Sequence, residues 1–75
     1  MKNLIAFIAK SLVDDPTEVV VRERVINGTV RFELTVGEDD MGRVIGRGGR
    51  VANAMRALLR VAAARQGTRA TLDII

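Results

Sequence analysis

The chain has 75 residues, enough for one domain, and at this size folding buries only about 60% of the surface that the unfolded chain exposes. It is 48% hydrophobic and 28% charged with a formal net charge of +3, a balance that fits a folded core. Histidine, cysteine, tryptophan and tyrosine are absent and Ser11 is the only serine, which excludes disulfides, Ser-His and Cys-His catalytic pairs and the usual zinc ligands. Carboxylates and two lysines, Lys2 and Lys10, are the only common bases left, so neither catalysis nor a cofactor is expected.

The first element is an amphipathic helix over Asn3 to Val13, where Leu4, Ile5, Phe7, Ile8 and Leu12 recur at helical spacing. Lys10 and Ser11 interrupt its apolar run, no stretch nears the roughly 20 apolar residues of a membrane span, and no cleavage site follows. A soluble, cytoplasmic protein with no membrane partner is expected. Asp14-Asp15-Pro16 stops the helix, because the proline ring disfavours helical backbone at the preceding residue.

Two strands follow. From Thr29 to Val36, Val30, Phe32, Leu34 and Val36 alternate with polar residues, the period-2 pattern of a sheet with one buried face. Glu18 to Ile26 is valine-rich and is read as its antiparallel partner, joined through Asn27-Gly28, a pair that tolerates the positive φ of a type I′ turn. Glu38-Asp39-Asp40 reads as the acidic start of a short helix, Met41 to Ile45, with side chains suited to capping free backbone N–H groups. Gly46-Arg47-Gly48-Gly49 breaks that helix. A longer helix is expected from about Arg50 to Gln66, with Val51, Met55, Leu58 and Ala62 inward, flanked by Leu59, Ala54 and Val61, and Arg56 and Arg60 on the opposite side. Gly67 caps it, and Arg69 to Ile74 alternates again as a third strand. The order α-β-β-α-α-β predicts a single α+β domain over residues 1–75: a three-stranded mixed sheet with three helices on one face. Strands two and three are parallel if adjacent, with a right-handed crossover.

Charge is unevenly placed. Residues 1–40 carry five basic and eight acidic side chains, whereas residues 41–75 carry seven arginines and one aspartate. No acid lies between Asp40 and Asp73. Such a one-signed region suits an anionic partner, nucleic acid before an acidic membrane, or else a solvated helix face.

The glycine segment sits at the junction of two predicted helices. Bracketing glycines let the backbone turn tightly with no side chain standing off a ligand, and the following helix start offers free N–H groups to a phosphate. A Walker A loop would need a lysine, and none lies beyond Lys10; a dinucleotide fingerprint starting at Gly46 would need glycine at position 51, which is Val51. An RRM stacks bases on aromatic side chains, but the only aromatics, Phe7 and Phe32, fall at core-facing positions. A double-stranded RNA-binding domain would need three consecutive strands between its helices. The KH domain, whose GXXG loop clamps about four nucleotides, remains.

Val44-Ile45-Gly46-Arg47-Gly48-Gly49 resembles the VIGXXG signature of KH domains, and the element order resembles their type II arrangement. Over its whole length, and in particular over Asp40 to Arg47 and Ala63 to Gly67, the chain resembles the KhpA family of small bacterial single-KH-domain proteins. That resemblance implies single-stranded RNA bound beside the loop, a chaperone-like or regulatory role, self-association as a homodimer, and a second KH protein, KhpB (Jag), as partner. Gly48 stands where the family more often carries a polar or charged residue, so a side-chain contact is lost there and a looser loop is expected.

Within that reading Gly46 and Gly49 set the loop geometry, Arg47 contacts phosphate with Arg50 at the loop edge, and the N–H groups of Gly48 to Arg50 donate to the RNA backbone. A plain helix–helix turn is the alternative. Val44, Ile45 and Val51 supply an apolar floor for bases or else ordinary core. Arg43 and Asn53 line the groove or face solvent, and Arg69 on the last strand reaches a phosphate or a base edge. Arg56 and Arg60 are read as solvated, or as a source of long-range attraction. A competing class is a protein-interaction module that uses the alanine-rich third helix.

Overall fold

The computed structural model describes residues 1–75. Helix α1 (Lys2–Leu12) ends as expected before Pro16, and Val13 already has extended backbone. Strand β1 (Val20–Ile26) starts two residues later than the sequence suggests, because Pro16–Glu18 form a 3-10 turn capped by Asp15, whose carboxylate accepts the Thr17 N–H at 3.1 Å. Asn27 and Gly28 both have positive φ, 51° and 77°, and hand the chain directly to β2 (Thr29–Thr35). A 3-10 turn, Glu38–Asp40, leads into α2 (Met41–Ile45); the turn Arg47–Gly49 separates it from α3 (Arg50–Arg65), and β3 (Arg69–Ile74) closes the chain.

The sheet order is β1-β2-β3. β1 and β2 are antiparallel with Val21 opposite Leu34 and Val25 opposite Val30, while β3 lies parallel to β2 with Leu72 beside Phe32. The mixed three-stranded sheet and the placement of all three helices on the Phe32 face follow the sequence reading. Phe32, Ile5, Leu34, Leu59 and Val44 are the largest fully buried side chains, so every layer contributes to one core. The opposite face of the sheet is open and charged: Arg24 and Arg31 both reach Glu33, and Arg31 also pairs with Asp73 at 2.6 Å.

Two expectations about helix faces are corrected. In α1 the buried residues are Ile5 and Ala9, and Phe7, expected in the core, is 72% exposed. In α3 the buried stripe is Ala52, Met55, Leu59 and Ala63; Met55 is as expected, and the other three each lie one residue, about 100°, beyond the expected Val51, Leu58 and Ala62. The small side chains of Ala52 and Ala63 let the helix lie close against the sheet. Leu58 and Val61 then face outward at 51% and 56% exposure, and Arg56 turns toward β3.

The acidic run also acts otherwise than expected. Asp40 makes no capping bond to α2; it is buried, and its two oxygens accept the N–H groups of Asp14 and Asp15 at 3.0 and 3.2 Å. It ties the α1–β1 connection to the start of the helix that leads into the glycine loop.

Candidate nucleic-acid interface

The loop is built on backbone conformations that require glycine. Gly46 ends α2 with φ +76°, and a Cβ there would stand 2.5 Å from Val51 Cγ2 and 2.8 Å from the Val51 backbone nitrogen. Gly48 and Gly49 take left-handed φ values of 63° and 81° with no tight contact at either. Gly48 is therefore more than a missing side chain: it lets two successive left-handed residues turn the chain into α3.

The amides of the turn are partly spent on the turn itself. Gly49 N–H donates to Gly46 O at 3.1 Å and Arg50 N–H to Arg47 O. The expectation that Gly48 to Arg50 all offer N–H groups outward is corrected for the last two, because the loop is a 3-10 turn whose own bonds consume them.

The other expected site residues separate into three groups. Val44 is fully buried and belongs to the core, so it cannot floor a groove, and Val51 is half-buried against the same core under Gly46. Arg43 pairs with Asp40 Oδ1 at 3.0 Å and Asp14 Oδ2 at 2.9 Å, stays half-exposed and does not line the groove between α3 and β3, which favours the solvent-facing alternative. Arg47, Arg50, Asn53 and Arg69 are exposed and free of carboxylates, and Ile45 is 37% exposed beside the loop.

A groove runs along α3, from Arg56 onward, and the outer edge of β3. One end is lined by Arg56, Leu59, Arg60, Ala70, Thr71 and Leu72, and the other by Thr29, Thr68 and Arg69. β3 pairs only with β2, so its other edge is unpaired. The reading of Arg56 and Arg60 as merely solvated missed this. Both line the groove, and Arg56 is half-buried, its Nε donating to Leu72 O at 3.1 Å and its Nη1 to Asn53 Oδ1 at 3.2 Å. Their spacing one turn apart is visible in the sequence, but the side of α3 that meets β3 is set by the helix phase, which the sequence reading placed about 100° off.

Of the seven arginines between Asp40 and Asp73 only Arg43 pairs with a carboxylate; Arg47, Arg50, Arg56, Arg60, Arg65 and Arg69 do not. Countercharge is concentrated elsewhere, where Asp15, Glu18, Glu38, Asp39 and Asp40 surround a polar depression. Within that cluster the Asp14 amide, helped by the Asp15 amide and Arg43, holds the Asp40 carboxyl below its ordinary range against the opposing effect of burial.

The βααβ unit β2-α2-α3-β3, with a GXXG turn between its helices and an α-β extension before it, defines a KH domain of the type II arrangement. A family model described as KhpA/KhpB, KH domain matches residues 2–74. The chain belongs to that family. Among its relatives are proteins named RNA-binding protein KhpA from Clostridium acetobutylicum, 45% identical over 75 residues with both chains fully covered, and from Halalkalibacterium halodurans, 47% identical over 100% of this chain and 99% of that one. A third, from Treponema pallidum, is 45% identical over 99% of this chain and 92% of the other. Among solved structures, Era from Aquifex aeolicus, crystallised with GDP and an aluminium fluoride, matches with a TM-score of 0.64 and 15% identity. That match covers 97% of this chain and 28% of the Era chain and speaks to the fold alone.

Proposed function

We propose that this chain binds single-stranded RNA along the α3–β3 groove, with the Gly46-Arg47-Gly48-Gly49 turn against the sugar-phosphate backbone, and acts without catalysis as a cytoplasmic RNA chaperone or post-transcriptional regulator. The observation that carries it is the set of six arginines without carboxylate partners on the loop, α3 and β3, of which Arg56, Arg60 and Arg69 line a groove that holds no acid. The names of the KhpA relatives support the same ligand. Arg47 and Arg50 serve the phosphates at the loop, with the Gly48 amide beside them; Ile45, Asn53 and Arg69 border the bound strand.

No aromatic platform lies in the groove, so base stacking contributes little and affinity is mainly electrostatic. With two to four phosphates neutralised, the slope of log affinity against log salt is about −1.4 to −2.8, from roughly −0.7 per contact. The test is RNA binding by the Arg47→Asp, Gly48→Asp double variant. Aspartate is among the residues that best tolerate left-handed backbone, and open space surrounds Gly48. Affinity for single-stranded RNA is expected to fall at least about tenfold while the variant remains folded at the assay temperature; equal affinity overturns the proposal.

A specific observation favours self-association as part of the same function. Leu58 and Val61 expose an apolar strip on the outer flank of α3, among Ala54, Ala57 and Ala64, and a second copy seated there would place two grooves in one particle. KhpB, which the family description names beside KhpA, is the second proposed partner.

A further inference from the structure

Arg56 is fixed at both ends of its guanidinium before any ligand arrives. Nε donates to the carbonyl of Leu72 on the unpaired edge of β3, and Nη1 donates to Oδ1 of Asn53 on the preceding turn of α3. Asn53 in turn is the neighbour of the loop, since its Nδ2 lies 3.7 Å from where a Gly49 Cβ would stand. Two hydrogen bonds therefore tie Asn53, one turn into α3 beside the glycine turn, through Arg56 to the sheet edge.

This arrangement decides which groups a base would meet. The Leu72 carbonyl and the Asn53 side-chain oxygen each accept one bond from Arg56, and none of Arg56, Leu59, Arg60, Ala70, Thr71 and Leu72 is an acid. What remains on the guanidinium is donor only: the free hydrogens of Nη1 and Nη2, held in one plane. A planar pair of donors matches an edge with two adjacent acceptors, as guanine offers through O6 and N7. Adenine offers N7 beside an amino donor, which would face the second guanidinium donor instead of giving it an acceptor. Unstacked bases in single-stranded RNA expose this edge to side chains.

We propose, on the reading that RNA lies in this groove, that Arg56 selects guanine over adenine at the nucleotide lying against the Leu72 edge. The hook needs no ordering on binding, because its two anchors are made within the folded domain.

The test uses fluorescence anisotropy with the hexamers UUUGUU and UUUAUU and with two analogues of the first. The guanine hexamer is expected to bind about tenfold tighter than the adenine one. Inosine, which keeps O6 and N7, is expected to bind like guanine, and 7-deazaguanine, which lacks N7, to lose most of the advantage. Arg56→Lys keeps the charge and the overall attraction but presents a point charge in place of the fork, so its guanine and adenine affinities are expected to agree within about twofold. Equal binding of the two hexamers by the wild type, tighter binding of adenine, or a guanine preference that survives in Arg56→Lys overturns the proposal. If Arg56→Lys melts lower yet keeps its preference, Arg56 is only a strap between α3 and β3, and the proposal is again overturned. Undiminished affinity in the Arg47→Asp, Gly48→Asp variant instead contradicts the placement of RNA at the loop, an outcome separate from the guanine preference.

Discussion

Gly46 is the residue on which the loop geometry turns. A side chain there collides with the Val51 backbone as well as its side chain, and φ is +76°, so no rotamer change relieves it. Gly46→Ala is expected to cost more than the roughly 1–2 kcal/mol of left-handed backbone alone, whereas Gly48→Ala, with open space around it, costs about that amount or less. At about 4–8 °C per kcal/mol for a domain of this size, thermal melting resolves the two. Equal melting temperatures would contradict the packing of Gly46 on Val51. Asp40 gives a second test at this scale. Its carboxyl is held below its ordinary pKa in the folded state, so its contribution to stability is present above the unfolded value and is lost as pH falls through the folded one. Asp40→Asn is expected to melt below the wild type at neutral pH, with the gap narrowing as pH falls below the ordinary carboxylate range. A gap that stays constant over that fall in pH would contradict the ionic clamp. The glycine motif was legible residue by residue, but the tasks of Arg43 and Asp40 were not. Both depend on Asp14 and Asp15, more than 20 residues away, and no local pattern announces that meeting.

Among the elements, the hairpin and β3 could be read almost residue for residue. Asn27-Gly28 fixes the register, and alternation fixes which faces of β2 and β3 are buried. The phase of α3 could not. Leu58 and Leu59 are adjacent, alanines flank the apolar stripe on several sides, and the sequence weights large side chains although the close-packed positions are the small Ala52 and Ala63. Phe7 misleads in the same way, its bulk suggesting burial although α1 needs only Ile5 and Ala9 against the sheet. A pair of truncations separates the two phases. Leu59→Ala is expected to cost about 2–5 kcal/mol and Leu58→Ala within about 0.5 kcal/mol of nothing, read from denaturant melts. The reverse order would restore the phase suggested by the sequence and move Arg56 and Arg60 out of the groove.

For the molecule as a whole, charge and exposed apolar surface take separate places. Arginines without acidic partners follow the loop, α3 and β3, while on the open sheet face Arg24 and Arg31 pair with Glu33 and Asp73. Under the proposed function RNA takes the groove, and the Leu58 and Val61 flank of α3 is left for a protein partner. Leu58→Glu with Val61→Glu is expected to leave melting nearly unchanged, since both side chains are more than half exposed, and to shift the protein to monomer in sedimentation. A wild type that is monomeric at the same concentration would contradict self-association through this flank. The asymmetry of charge was plain in the sequence; that it falls on one groove was not, because the groove exists only once β3 returns beside β2 and leaves its other edge open.

The placement of RNA is tested most directly by amide chemical shifts recorded while an unstructured RNA hexamer is added. The shifts are expected to concentrate on Gly46 to Asn53, Arg56, Arg60 and Ala70 to Leu72, and to spare Arg22, Arg24 and Arg31 on the open sheet face. Shifts confined to that face, with the loop and groove unmoved, would contradict the account.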